Sequence, residues 1–237
     1  MLQFDCRSLM DTAKATGWDL EAHVERVYEM FRFRDGHPPR LPRPSFGTHA
    51  AIQQSLMDCK ADLGARAQID WPGFLRRHQG ILRPLAALPR LGRLDDHQID
   101  LVCAVVARLE DFKQTAARTL AFGSRAAHFH FPWLVPVVRS DIEAALRAID
   151  RNERAALQSL LPGRSRKFLF SSPRSRAASY ANYLRLGNAL MRDVDSKTLL
   201  GAISSADYDL HAKVFEWWVV AFGLLGARVD VGAVTHV

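Results

Sequence analysis

Apolar residues recur along most of this chain at the spacing of a helix face. From Asp19 onward, Leu20, Val24, Val27, Tyr28 and Phe31 share one side while Glu21, Glu25, Arg26 and Glu29 share the other, which predicts an amphipathic helix closed by Asp35-Gly36. The next stretch, His37 to Ser45, holds four prolines in nine residues, so it reads as an extended connector. Thr48 can cap a helix running to about Leu63, with Ile52, Leu56 and Leu63 as its buried stripe. Asp70 followed by Pro72 marks another start, and Pro84 and Pro89 end what begins there.

Asp95 or Asp96 then opens a long helix, in which Ile99, Val102, Val106 and Leu109 keep the 3.6-residue period toward Phe112. Ser140-Asp141-Ile142-Glu143 reads as a capping box ahead of a helix to about Asp150. Two more helices are expected over Ser175 to Arg192 and Asp207 to Leu225. No stretch alternates for long, and the short pieces Phe168-Leu169-Phe170 and Arg228 to Val231 do not make a sheet. The expected fold is all-α. It places an N-terminal helical arm with its Pro-rich connector over 1–45, one compact multi-helix domain over 46–227 and a tail over 228–237.

Composition agrees with such a domain. With 237 residues, 48% hydrophobic and 24% charged, the chain can bury its own core, which excludes a disordered or fibrous protein. Cys6, Cys59 and Cys103 are odd in number and lack CxxC spacing, so neither a disulfide framework nor a zinc site is indicated, and a reducing cytoplasm is the expected compartment. Asp5, Arg7 and Asp11 interrupt any leader-like apolar run near the start, and the longest apolar run, Trp217 to Ala227, is too short to span a membrane.

Charge adds a direction. Lys and Arg number 32 against 25 Asp and Glu, a net +7, and the excess is unevenly placed. Arg154 to Arg192 contains no acid and eight cations, among them Arg164, Arg166, Lys167, Arg174 and Arg176 on or beside an inter-helix loop rich in serine. Guanidinium forks, hydroxyls and the N-terminus of the next helix suit phosphate oxygens. A second acid-free stretch, Phe112 to Ser140, holds Lys113, Arg118, Arg125 and Arg139, and a third, Trp71 to Leu94, holds Arg76, Arg77, Arg83, Arg90 and Arg93. Two partners fit a basic face built this way: nucleic acid, DNA first, or an acidic protein bound by a helical accessory module. Ordinary solvated arginines would give the same counts.

One segment resembles a known pattern. Gly123 to Ile142 is similar to a block in bacterial all-helical proteins, where a helix reading Ser-Lys-x-Leu-His-Phe precedes Pro-x-Leu-x-Pro, two apolar residues, Asp-Ser and a new helix. Ser124, His128, Phe129, Pro132, Leu134, Pro136 and Ser140 match, with Arg125 in place of the lysine. Glu216 with Phe222-Gly223 resembles that group's Leu-Asp-x-x-x-Trp-x-Tyr-Gly ending. The layout is also similar to the end of the helix-hairpin-helix DNA glycosylase core, which implies contact with the DNA backbone by Arg125, His128 and Arg139. Arg125 stands near that family's lysine, and Val138 or Arg139 stands where its aspartate belongs. Arginine stays protonated and cannot replace either group, so no catalytic residue is assigned.

Without the resemblance, Pro132 and Pro136 still force a break between helices, and the apolar residues around them place that break in the interior, where its backbone needs partners. His128 and Arg125 are candidates to supply them. His128-x-His130 is a poor metal pair, because positions two apart do not share a helix face. Leu88-Pro89-Arg90-Leu91-Gly92 copies a phosphate-approaching Leu-Pro-Gly-x-Gly hairpin apart from one missing glycine; otherwise it is a helix end and a glycine turn. Glu216, in an almost wholly apolar helix, is expected to be buried, with Lys213 or an arginine as counter-ion. Trp217, Trp218 and Phe222 read as core. No phosphate loop, dinucleotide fingerprint or nucleophile elbow is present, and no cofactor is expected.

Overall fold

The computed structural model describes residues 6–17, 19, 69–114, 119–161, 168–170, 172, 174–194 and 210–224. Among them the protein is all-α: α1 (Cys6–Thr16), α2 (Trp71–Leu82), α3 (Asp96–Glu110), α4 (Ala121–His130), α5 (Ser140–Asn152), α6 (Arg154–Leu160), α7 (Arg176–Leu190) and α8 (His211–Leu224), with a 3-10 turn at Arg83–Ala87. The nearest approach to a sheet among these residues is a single bridge between Ile69 and Lys113. The helices expected over 19–31 and 48–63, the Pro-rich connector and the C-terminal tail lie outside the described residues.

Local chemistry sets several helix starts. Asp70 accepts a hydrogen bond from the Gly73 N–H at 2.9 Å, with Pro72 in the first turn. Asp95, not Asp96, caps α3: its carboxylate accepts from the Gln98 N–H at 2.8 Å while the Gln98 side chain accepts from the Asp95 N–H at 3.0 Å. The box expected at Ser140 and Glu143 does not form. Arg139 is extended (φ −140°, ψ 165°) and takes the cap position, so Ser140 is already helical; the Arg139 side chain makes no capping bond, and the Asp141 carboxylate accepts from the Ile142 N–H at 2.9 Å. Glu143 instead pairs with Arg147 one turn on.

α4 has no cap of its own. It follows Leu120, which sits in the left-handed region (φ 65°). Its N-terminal donors are met from another helix, because the buried Glu110 at the end of α3 accepts from the Gly123 N–H at 2.8 Å and the Thr119 N–H at 3.2 Å. An anion at a helix N-terminus also interacts favourably with the helix dipole. The two helices can meet so closely because residue 123 is glycine, where an added Cβ would stand 2.1 Å from the Val106 carbonyl oxygen.

Two helix groups share one core. α3 packs on α4, α2 and α7, whereas α8 packs on α5, α1 and α7. Leu9 and Ala13 of α1 are buried in that core, and Trp217 and Trp218 of α8 are each 1% exposed, while Phe222 is partly buried against it. Phe168 and Phe170, non-helical as expected, are buried in the same core, and Phe170 meets Tyr183 edge-on. No described helix is long and apolar enough to cross a membrane.

Candidate functional site

The candidate site is built around the elbow joining α4 to α5. Residues 131 to 138 are all buried although none is helical, so their backbone groups must find partners other than water. Side chains from three helices provide them. His128 of α4 donates through Nδ1 to the Val135 carbonyl (2.5 Å), Tyr180 of α7 donates to the Pro136 carbonyl (3.1 Å), Glu216 of α8 accepts from the Val137 N–H (2.7 Å), and Ser124 of α4 accepts from the Val138 N–H (2.9 Å).

Glu216 is wholly buried, as its sequence context predicts. Lys213 pairs with it at 2.8 Å, the Arg139 guanidinium stands 3.7 Å away, and His128 Nδ1 lies 3.7 Å from its other oxygen. Burial pushes the carboxyl upward, but these neighbours outweigh it and hold the group below the usual carboxylate range. Burial also drives His128 down to about 4, opposed by Glu216 and reinforced by Lys213 and Arg139. The imidazole is therefore neutral at pH 7, with its proton on Nδ1. Arg139 forks onto Asp141 through Nε (3.0 Å) and Nη2 (2.9 Å), so it bridges the buried carboxylate to a surface one. Buried phenols complete the cluster: burial foremost, then nearby charges including Glu216, pushes Tyr180 and Tyr183 well above their ordinary range.

This network serves the main chain. The bonds and ion pairs just described run to the elbow or between members of the cluster, and the outcome favours the structural role of His128 over the phosphate-contacting one. Of the residues the sequence singles out, His128 and Arg139 come together here, facing inward. Arg125 is half-buried on the same helix, Arg174 is exposed just before α7, and Arg176 is half-buried as its first residue. Arg164, Arg166 and Lys167 lie outside the described residues. His130 turns away from His128 and packs against His78, ring centroids 5.8 Å apart.

The Leu88 to Gly92 turn also proves to be structural. Gly92 has φ 104°, and its N–H and that of Leu94 both donate to the Asn188 side chain (3.0 and 2.8 Å), while the Leu91 N–H donates to the Trp133 carbonyl. These are the groups a phosphate would need. The glycine permits close approach to the Met191 carbonyl of the α7 terminus, 2.5 Å from where a Cβ would sit.

A pH test follows from the histidine. His128 is depressed in the folded state relative to about 6.5 when unfolded, so the unfolded chain binds the proton first and stability falls as pH drops from about 6.5 toward 4. Glu216, also depressed, contributes above its unfolded value of about 4.3 and loses that contribution only at lower pH. Between pH 7 and 4 the native chain should lose on the order of 3 kcal/mol more than a His128→Gln variant, which keeps a donor for Val135 without titrating. Urea denaturation at stepped pH measures it, and parallel pH profiles would count against the assignment.

The outward-facing candidate is not visible as a unit in the sequence. Arg76, Arg77, Gly80 and Ile81 of α2, with Arg108, Asp111 and Phe112 at the end of α3, line an open groove of about 460 Å³. Positions 76, 77, 80 and 81 share a face of α2. The Arg77 guanidinium lies over the Phe112 ring, 4.8 Å from its centroid, and Nε reaches the Gly73 carbonyl at 3.5 Å. All three arginines are exposed, and among the described residues none pairs with a carboxylate. In contrast, Lys113, Arg139, Arg147, Arg185 and Lys213 all do.

No known protein family, curated protein or solved structure matches the chain.

Proposed function

We propose that this protein binds nucleic acid, DNA in the first instance, through a basic surface whose best-formed part is the arginine groove between α2 and α3. The observation behind this reading is that three exposed arginines, Arg76, Arg77 and Arg108, line one open groove and form no ion pair among the described residues, with Asp111 the one carboxylate in the lining. Three guanidinium groups around one concavity repel each other, and a polyanion relieves that repulsion. Exposed Arg174 belongs to the same reading as part of the acid-free stretch before α7.

The test is a salt titration of binding to double-stranded DNA, single-stranded DNA and RNA, with polyglutamate as the competing acidic polypeptide. Affinity should fall steeply with salt, as counterion release requires. Binding to none of the nucleic acids at low salt would overturn the proposal. Equal affinity for polyglutamate would favour an acidic protein partner instead.

A further inference from the structure

Resting on that reading, we propose that Arg77 is the anchoring phosphate contact of the groove between α2 and α3, and that Phe112 is the residue that positions it. Arg76, Arg77 and Arg108 all line the groove, and all three are exposed. They differ in what holds them. Among the described residues no hydrogen bond, ion pair or ring contact restrains Arg76 or Arg108. Each therefore samples many rotamers, and a phosphate that fixes one must offset the entropy lost. Arg77 is restrained before any ligand arrives: its guanidinium carbon lies 4.8 Å from the centroid of the Phe112 ring, and its Nε reaches the Gly73 carbonyl at 3.5 Å.

The platform is itself fixed. Phe112 is 5% exposed and meets Phe74 edge-on, ring centroids 5.5 Å apart, while its carbonyl accepts from the Asp70 N–H at 2.9 Å. The start of α2 and the end of α3 are thus tied together at the residue on which the guanidinium lies. With one face on the ring and Nε turned to Gly73, Arg77 keeps Nη1 and Nη2 as donors for phosphate oxygens. A lysine at this position would keep the charge but lose the planar fork that stacks on a ring.

Fluorescence anisotropy tests this on whichever of duplex DNA, single-stranded DNA and RNA the native chain binds most tightly. Arg77→Lys should lose ~5-fold in affinity with its log–log salt dependence unchanged, whereas Arg76→Lys and Arg108→Lys should stay within ~2-fold. Arg77→Ala should lose ~10-fold, with a salt dependence shallower by roughly 0.7–0.9, one phosphate's worth. Phe112→Leu should lower affinity ~3-fold or more when Arg77 is present and leave it unchanged in the Arg77→Ala background, a coupling that general loosening of the fold does not produce. The lysine variants alter only exposed positions, so they remain decisive even if Phe112→Leu folds poorly, which far-ultraviolet circular dichroism checks. An Arg77→Lys loss no larger than those at 76 and 108, or an equal Phe112→Leu effect in both backgrounds, would overturn the anchoring role while leaving nucleic-acid binding in place. Binding to none of the three nucleic acids by the native chain would overturn both.

Discussion

Replacing Glu216 with alanine is expected to destabilise the fold by about 3–5 kcal/mol, the range for removing one partner of a buried ion pair. The carboxylate sits wholly inside the protein, and its loss leaves the Lys213 ammonium, only 10% exposed, without its partner. It also deprives the Val137 N–H of its acceptor, so a buried backbone donor is orphaned in the same step. Glutamine should be nearly as damaging. Its amide can accept from Val137 only by turning NH2 donors toward Lys213, so one bond is kept at the cost of the other. A Lys213→Met/Glu216→Gln double variant removes the stranded charge and should recover at least half of the loss. Urea denaturation at pH 7 gives all three values. An alanine variant within ~1 kcal/mol of the native chain would mean that the network does not hold the elbow.

Gly123→Ala should be comparably severe, about 3 kcal/mol or more, despite adding one methyl group. The new Cβ would lie 2.1 Å from the Val106 carbonyl oxygen and 2.9 Å from the Glu110 nitrogen, both of them backbone atoms that cannot rotate aside. α3 and α4 would have to separate. That motion would draw Glu110 away from the α4 donors it caps and shift Ser124 and His128, which hold the elbow. Gly80→Ala is the matched control, since its Cβ would meet nothing within 4 Å and a helical alanine should be neutral or stabilising by ~1 kcal/mol. Equal effects at the two positions would show that helix propensity, not the crossing, decides the outcome at Gly123.

What could be read from the sequence follows the range of each interaction. Asp70 and the Asp95-Asp96 pair announce their helices because a cap acts over three residues, although only the structure shows that Asp95 is the one that caps. The buried break at Pro132 to Pro136 is legible because prolines and apolar neighbours are both local, and Glu216 with Lys213 because they stand one turn apart in an apolar helix. The same local reasoning fails at Ser140, where the extended Arg139 moves the helix start by one residue and Asp141 engages the arginine. It is blind to partners supplied from afar. Ser124, Tyr180, Asn188 and Glu110 are ordinary polar residues in the sequence, and only the packing of α3, α4, α7 and α8 shows that each completes a distant backbone. The groove is a similar case: Arg76 and Arg77 lie in an acid-free stretch, but nothing local predicts that Arg108 joins them.

The elbow also constrains the order in which the molecule can be built. Its Pro136 carbonyl waits for a hydroxyl 44 residues downstream, and its Val137 N–H for a carboxylate 79 residues downstream on the last described helix. During synthesis from the N-terminus, α4 and α5 therefore emerge with the segment between them unable to reach its final state. Closing contacts over such a separation is slow, and until it happens the apolar elbow is exposed to other chains. α8 thus acts as a latch that closes only after the 79 residues between Val137 and Glu216 have been made.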